Sequence, residues 1–364
     1  MRIICDRKLL EEALNKAKEA TEKKAALPIL TNLLLTAEGE YLTIKATDLE
    51  NYLTLKIPAN VVEEGTTSVS SQKLTEIVKN GKCAELILNL QGENLLVECG
   101  RSKFKLTTID PEEFPEFPEP QEDLETFILE GHIILEAIDR TDYAIPKDSE
   151  NIVLNGLYVN GKGSVVDFVG TDGHRLALYR PQVDNFNLKF LLPKKSLKVL
   201  KKLIAKLDQL ELAATENFAF IEGENWKLAV RLLEGDYPDY ESVLPSETNY
   251  NALIPVEEFI NALKRVTLLV EGKVKPVKIT LMENLVKLEV SDPEFGEAED
   301  EVEAEYVGET ITAEFNARYI IEALDNYDSE RIWFKLVDPD SPAVIEAENL
   351  EEEPYICLIM PMAI

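Results

Sequence analysis

Cysteine is scarce in this chain: Cys5, Cys83, Cys99 and Cys357 are its four thiols, scattered over 364 residues. No Cys-x-x-Cys pair occurs, and only His132 and His174 could add imidazoles to a metal site. The expectation is four buried, reduced thiols, with no zinc, no other metal and no cofactor. No window approaches the roughly 18–20 uncharged apolar residues of a membrane span. The opening Met1-Arg2-Ile3-Ile4-Cys5-Asp6 lacks the apolar core and small-residue cleavage site of a signal peptide, so a cytoplasmic protein is expected. A phosphate loop of the form GxxxxGK[ST] and an HExxH metal motif are also missing. Glutamine is sparse, and with 29% charged residues this hints at a heat-adapted source.

Positive charge is in short supply too. Lysine and arginine number 38 against 68 acids, a net charge of −30. Taken alone this argues against nucleic-acid binding, whose usual signature is a basic footprint. Screening, however, limits the reach of each charge to about 8–10 Å near physiological salt. An acidic exterior can therefore coexist with a segregated basic lining. What is present in quantity is apolar residue, 45% of the chain, enough for a substantial core in two or three domains.

Internal repetition is the most informative feature. Three times an amphipathic helix leads into an alternating hairpin that ends in Thr-Asp or Ser-Asp. The helices carry Leu10, Ala13, Leu14 and Ala17, then Ile134, Ala137 and Ile138, then Phe259, Leu263 and Val266 after Pro255. The hairpins end at Thr47-Asp48, Thr171-Asp172 and Ser291-Asp292, the middle one turning through Asn160-Gly161-Lys162-Gly163. A second helix is expected in each unit, over 72–80, 194–207 and 316–326. A repeat this long is a whole domain. A proline-rich acidic stretch from Phe114 to Pro120, with Gln121 and Glu122, reads as a linker, and a second lies near 246–250. The fold class is α+β: three domains of similar topology, 1–122, 123–247 and 248–364, each with two helices on mainly antiparallel sheet.

The segment 194–207 is the sharpest electrostatic feature. Lys194, Lys195, Lys198, Lys201, Lys202 and Lys206 cover one helical face, and Leu197, Leu200, Leu203, Ile204 and Leu207 the other. Three readings stay open: a solvated face, a membrane-surface helix, and a surface that touches phosphates. The membrane reading lacks Trp and Phe anchors. Lysine, a flexible point charge, suits phosphate contact without base reading. Weaker echoes are Lys8, Lys16, Lys23 and Lys24, then Lys73, Lys79 and Lys82, then Lys264 and Arg265. No aromatics interleave with them, which favours duplex over single strand.

Catalysis finds little support. Asp48, Asp172 and Asp292 admit an acidic, metal-dependent nuclease site. Their recurrence at equivalent strand ends is better explained by side chains capping their own turns. His174 has no nearby nucleophile, so a Ser-His-Asp arrangement is a remote alternative. No catalytic residue is assigned. A scaffold that binds only proteins is the remaining non-enzymatic alternative.

Two segments carry a family likeness. Thr171-Asp172-Gly173-His174-Arg175-Leu176-Ala177-Leu178 resembles the central TDGHRLA signature of the bacterial DNA polymerase III beta subunit family, the sliding clamps. The closing Met360-Pro361-Met362-Ala363-Ile364 is similar to that family's tail. Leu27-Pro28-Ile29-Leu30-Thr31-Asn32-Leu33-Leu34, Gly100-Arg101-Ser102 and Tyr237-Pro238-Asp239-Tyr240 are similar to further family segments, in order along the whole chain.

The resemblance implies a non-catalytic ring, a head-to-tail homodimer that encircles duplex DNA and confers processivity on a replicative DNA polymerase. Its helices would line the hole, with Lys24, Lys73, Lys79, Lys194, Lys198, Lys201, Lys202 and Lys206 facing DNA. It also implies a pocket for short apolar motifs of polymerase, clamp-loader and repair partners. Leu154, Thr171, Gly173, His174, Arg175, Leu176, Pro238 and Val243 would form one wall. Asn316, Tyr319, Leu358, Ile359, Met360, Pro361 and Met362 would form the other. Ala363 departs from the basic residue common in the family, which touches only a peripheral polar contact. At the ring interface the resemblance sets Phe104 and Leu106 against Leu268 and Leu269 of the second copy. Arg101 and Lys103 would face Glu297, Glu299, Asp300 and Glu301.

Overall fold

The computed structural model describes residues 1–362, so Ala363 lies outside the described residues. The chain forms two compact units, Met1–Leu135 with Leu192–Leu233, and Glu136–Leu191 with the residues from Glu234 onward. Among the described residues the α-helices are α1 (Arg7–Ala17), α2 (Ser71–Asn80), α3 (Gly131–Thr141), α4 (Lys194–Leu203), α5 (Val256–Val266) and α6 (Ala317–Leu324). The expected two helices per repeat are there.

Local chemistry explains where they start. Asp6 caps α1 by accepting the Lys8 and Leu9 amides at 2.8 and 3.0 Å. Asn316 caps α6 through the Arg318 amide. Helix α5 has Glu257 and Glu258 in its first turn and Lys264 and Arg265 in its last, matching the helix dipole. The periodic apolar residues Leu10, Ala13, Leu14 and Ala17 are buried, as are Phe259, Leu263 and Val266.

Helix α4 ends earlier than expected. It stops at Leu203, not 207, because the Asp208 carboxylate accepts the Ala205 amide at 2.8 Å and closes a turn instead. Lys206 is consequently outside the helix, and Leu207, expected on the apolar face, is 97% exposed.

All strand pairings described are antiparallel. In the first unit a 13-stranded sheet joins two repeats: Trp226–Arg231 pairs with Asn51–Pro58, Leu228 opposite Leu53. The second unit holds a 9-stranded sheet, in which Tyr355–Ile359 pairs with Arg175–Tyr179, and a 4-stranded sheet edged by Gly296–Glu303. Fully buried Phe334 makes edge-on contacts with Phe259 and Phe315 at 6.0 and 5.9 Å.

The three repeated aspartates do the same local job. Asp48 accepts the amides of Glu50 and Asn51, Asp172 those of His174 and Arg175, and Asp292 those of Glu294 and Phe295, at 2.7–3.1 Å. They cap their own turns.

The thiol expectation needs correcting. Cys83 and Cys99 form a disulfide, while Cys5 and Cys357 are free and buried. The loop after α2 lies beside the end of the strand Asn94–Cys99, with the two Cα atoms 5.4 Å apart, within bonding reach. No helix among the described residues is long and apolar enough to cross a membrane. None of their His, Cys, Asp and Glu side chains form a group of three or more suited to a metal.

Candidate functional site

Three groups of residues emerge, and the lysines come first. In the first unit α1 packs against both α2 and α4. Burial of Leu197, Leu200 and Leu203 turns Lys195, Lys198, Lys201 and Lys202 outward, and Lys194 is half-buried. Lys24, Lys73, Lys79 and Lys206 are exposed as well. Lys195 and Lys198 of α4 meet acids of the first repeat. Lys195 Nζ lies 2.8 Å from both Glu22 and Asp48, and Lys198 Nζ lies 2.6 Å from Glu19. Burial opposes the Lys195 charge, but hydrogen bonds to Asp48 and Glu22 outweigh it and raise its pKa above the ordinary lysine value. Lys73 pairs with Glu76 one helical turn on. The basic face is therefore divided between tethering and display.

The second group surrounds Arg175 in the second unit. Strand pairing sets Arg175 opposite Ile359 and Leu176 opposite Leu358, and the Met360 amide donates to the His174 carbonyl at 2.9 Å. Thr171 Oγ1 donates to the Arg175 carbonyl and accepts the Gly173 amide. Gly173 sits at φ 87°, a left-handed conformation that suits glycine in this tight turn. The Arg175 guanidinium donates to Asp172, Glu322 and the Tyr143 carbonyl, and lies 4.4 Å from the Tyr319 ring centre. Burial penalises the Glu322 charge, yet Arg175 and Arg318 hold its pKa below the usual carboxylate range. The Met362 amide donates to the Glu314 carbonyl at 2.8 Å. Pro361 is half-buried, and Met360 is 42% exposed.

Leu154, Pro238 and Val243 stand outside this hydrogen-bonded strand pair. Leu154 is half-buried in a turn over Ile152–Asn155, Pro238 is exposed, and Val243 ends a turn over Glu241–Val243 with 46% of its surface exposed. A cluster that the sequence did not reveal holds the second of these turns. The buried Asp167 carboxylate accepts from Arg180 (2.5 and 2.7 Å), Lys162 (2.7 Å) and Tyr240 (2.5 Å). Lys162 also reaches Glu241 at 2.5 Å. Burial pushes the Asp167 pKa up, but these donors more than offset it, leaving the carboxyl below its ordinary range. A basic residue on each side of a strand aspartate is the only sequence signal, and it is weak.

The third group consists of two strand edges. Ser102–Ile109 pairs along 102–107 with the strand Asn94–Cys99, but reaches its other neighbour only at Thr108 and Ile109. Phe104, Arg101 and Lys103 are exposed there and Leu106 is half-buried. Glu76, Ile77, Asn80, Gly81, Lys82, Cys99, Arg101 and Phe104 line a recess of about 500 Å³ beside it. Gly296–Glu303 is the other edge, with Glu297, Glu299 and Glu301 exposed. Leu268, just beyond α5, is 80% exposed and Leu269 half-buried. Some charges assigned to mutual contact have partners in their own chain: Lys103 with Glu98, Glu299 with Lys287, and Asp300 with Arg265.

Comparison with known proteins gives this arrangement a class. Family models of the DNA polymerase III beta subunit match in chain order: the N-terminal domain over residues 1–118, the central domain over 129–239 and the C-terminal domain over 241–363. The chain belongs to the DNA polymerase III beta subunit family. It is 30% identical over 375 residues to the beta sliding clamp of Streptomyces coelicolor, covering 100% of this chain and 99% of that protein. The beta sliding clamp of Pseudomonas aeruginosa is 29% identical over 370 residues, with both chains covered in full. Among solved structures, the DNA polymerase III beta subunit of Pseudomonas aeruginosa superposes with a TM-score of 0.94 at 28% identity over all of both chains. That of Thermotoga maritima gives 0.93 at 26% identity, covering 100% of this chain and 99% of that one.

Proposed function

We propose that this chain is a sliding clamp that closes as a homodimeric ring around duplex DNA and tethers a replicative polymerase to it. It is a non-catalytic subunit of the polymerase III holoenzyme, and it binds polymerase and clamp loader. The match of three family domains, in order and over nearly the whole chain, carries this reading. Domain limits at 122/123 and 247/248 are proposed with it, as is a cytoplasmic location.

Three site assignments follow. The outward lysines of α4, with Lys24, Lys73, Lys79 and Lys206, meet DNA phosphates without reading bases, which suits sliding. The turn Thr171–Leu176, the tail Leu358–Met362, Asn316 and Tyr319, rimmed by Leu154, Pro238 and Val243, form the groove for apolar partner motifs. Methionine and leucine make such a groove adaptable. The ring closes where the open edge of Ser102–Ile109 meets the Gly296–Glu303 edge of the second copy, with Phe104 and Leu106 against Leu268 and Leu269. One strand open along 102–107 and one true sheet edge, basic on the first and acidic on the second, support that contact.

The deciding test is retention on nicked circular plasmid against the same plasmid linearised, after loading at moderate salt. Retention on the circle with run-off from the linear form is expected. Equal release from both would turn the lysine face into a solvated surface and leave a protein-only scaffold.

A further inference from the structure

We propose that the Cys83–Cys99 disulfide is a redox-controlled clasp on the ring interface, shaping the recess that receives Leu268 of the partner subunit. The inference rests on the interface assignment above. The bond ties the loop that follows α2 to the end of the strand Asn94–Cys99. Ser102, three residues on, opens the strand whose free edge would meet the second copy.

The recess of about 500 Å³ lies between these two tied segments. Ile77 and Gly81 line it from the helix side, and Cys99, Arg101 and Phe104 from the strand side. Charge and shape match it to Leu268 of the partner subunit. Lys82 and Arg101 stand at the rim, Glu297 and Glu301 are exposed on the acidic edge strand, and Leu268 projects from the chain with no apolar cover.

The bridge sits close against the end of α2: a Cβ placed on Gly81 would lie 2.9 Å from Cys99 Sγ. Reduction by a dithiol breaks the S–S bond. Each sulfur takes up one electron and one proton, and the dithiol leaves as a disulfide. Bonded sulfurs lie about 2 Å apart, whereas two thiols need contact distances of roughly 3.5–4 Å. One of the two sulfurs must then move, and with the tie gone the two walls of the recess are no longer held at a fixed spacing. Cys5 and Cys357, both buried and far along the chain, take no part.

The test uses the whole protein. Thiol titration after denaturation without reductant gives two thiols per chain if the bridge is present, and four would overturn the proposal. Dimer dissociation is then followed by sedimentation for oxidised protein, for protein reduced with dithiothreitol, and for Cys83→Ser. We expect the dimer Kd to rise at least tenfold on reduction and in the variant, and reoxidation of the wild type to restore it. Binding of an apolar clamp-binding peptide, whose groove lies in the other unit, should not change and reports that the protein stays folded. An unchanged Kd with four thiols counted would overturn the clasp. Leu268→Ala in the oxidised protein separates the two failures. If it weakens the dimer while reduction does not, the interface stands and the clasp falls. If it leaves the dimer intact, the interface assignment itself is wrong.

Discussion

The Arg175 guanidinium lies against the Tyr319 ring, 4.4 Å from its centre, while all its hydrogen bonds run to Asp172, Glu322 and the Tyr143 carbonyl. Three of its five N–H donors are engaged inside the chain, which assigns it to holding the proposed groove in shape. Tyr319 comes from α6 and Arg175 from the strand beside Tyr355–Ile359, so this stacking joins the two walls of the proposed groove.

Arg175→Lys should therefore behave as more than a conservative change. Lysine keeps the charge but loses the planar fork and the ring stacking. Two or three charge-assisted hydrogen bonds of about 1.5–3 kcal/mol each are at stake, partly recovered by the ammonium group. We expect a loss of about 2–3 kcal/mol in unfolding free energy and at least tenfold weaker binding of a clamp-binding peptide. Chemical denaturation and fluorescence anisotropy measure the two, and an unaltered peptide affinity would remove Arg175 from its assigned role.

Asp167 gives a pH prediction. Its folded pKa lies below the ordinary carboxylate value, so the unfolded chain binds more protons in the acid range. Its contribution to stability is therefore fully present above about pH 5 and is lost as pH falls through the folded pKa. Glu322 and Glu353, both also lowered, act in the same direction. Asp167→Asn leaves Arg180 and Lys162 without their buried acceptor charge and should cost about 3–5 kcal/mol. The variant should also show a shallower loss of Tm between pH 5 and pH 3 than the wild type, which differential scanning calorimetry across that range would reveal. Equal slopes would mean the carboxylate is not the group that titrates.

Much of this was legible in the sequence, and the limit is physical. Periodicity exposed the first helix of each repeat, because burial of Leu10, Leu14, Phe259 or Leu263 demands regular spacing. The capping role of Asp48, Asp172 and Asp292 was readable because it involves residues two and three positions away. What failed was non-local or competitive. The end of α4 depends on Asp208 winning the Ala205 amide from the helix, a contest between neighbours of similar strength. The Cys83–Cys99 bridge and the Lys195–Asp48 pair join residues that only tertiary packing brings together.

The interface assignment predicts monomers from a small change. Leu268 is 80% exposed in the isolated chain, so truncating it should scarcely affect folding. Leu268→Ala with Leu269→Ala would remove two apolar anchors from the contact, each worth about 2 kcal/mol or more if buried there. Sedimentation at micromolar protein should show dissociation with Tm changed by only a few degrees. A dimer of unchanged stability would place the ring contact elsewhere.

The proposed DNA-facing surface can be separated from the tethering lysines by experiment. Lys202 and Lys206 are exposed, whereas Lys195 is held by Glu22 and Asp48. Replacing Lys202 and Lys206 by alanine should flatten the dependence of log K on log salt for duplex binding by about 2, close to 0.9 for each phosphate contact removed. Folding stability should hardly change. Lys195→Ala should do the reverse, leaving the salt slope nearly unaltered and lowering stability by about 1 kcal/mol, since half-exposed pairs are screened by solvent. Asp48 would then remain buried without its cation, which makes that loss the larger of the two in a denaturant titration. If instead Lys195→Ala flattens the salt slope as much as the double variant does, its pairing with Asp48 gives way to phosphate in the DNA complex, and the whole of α4 is a contact surface.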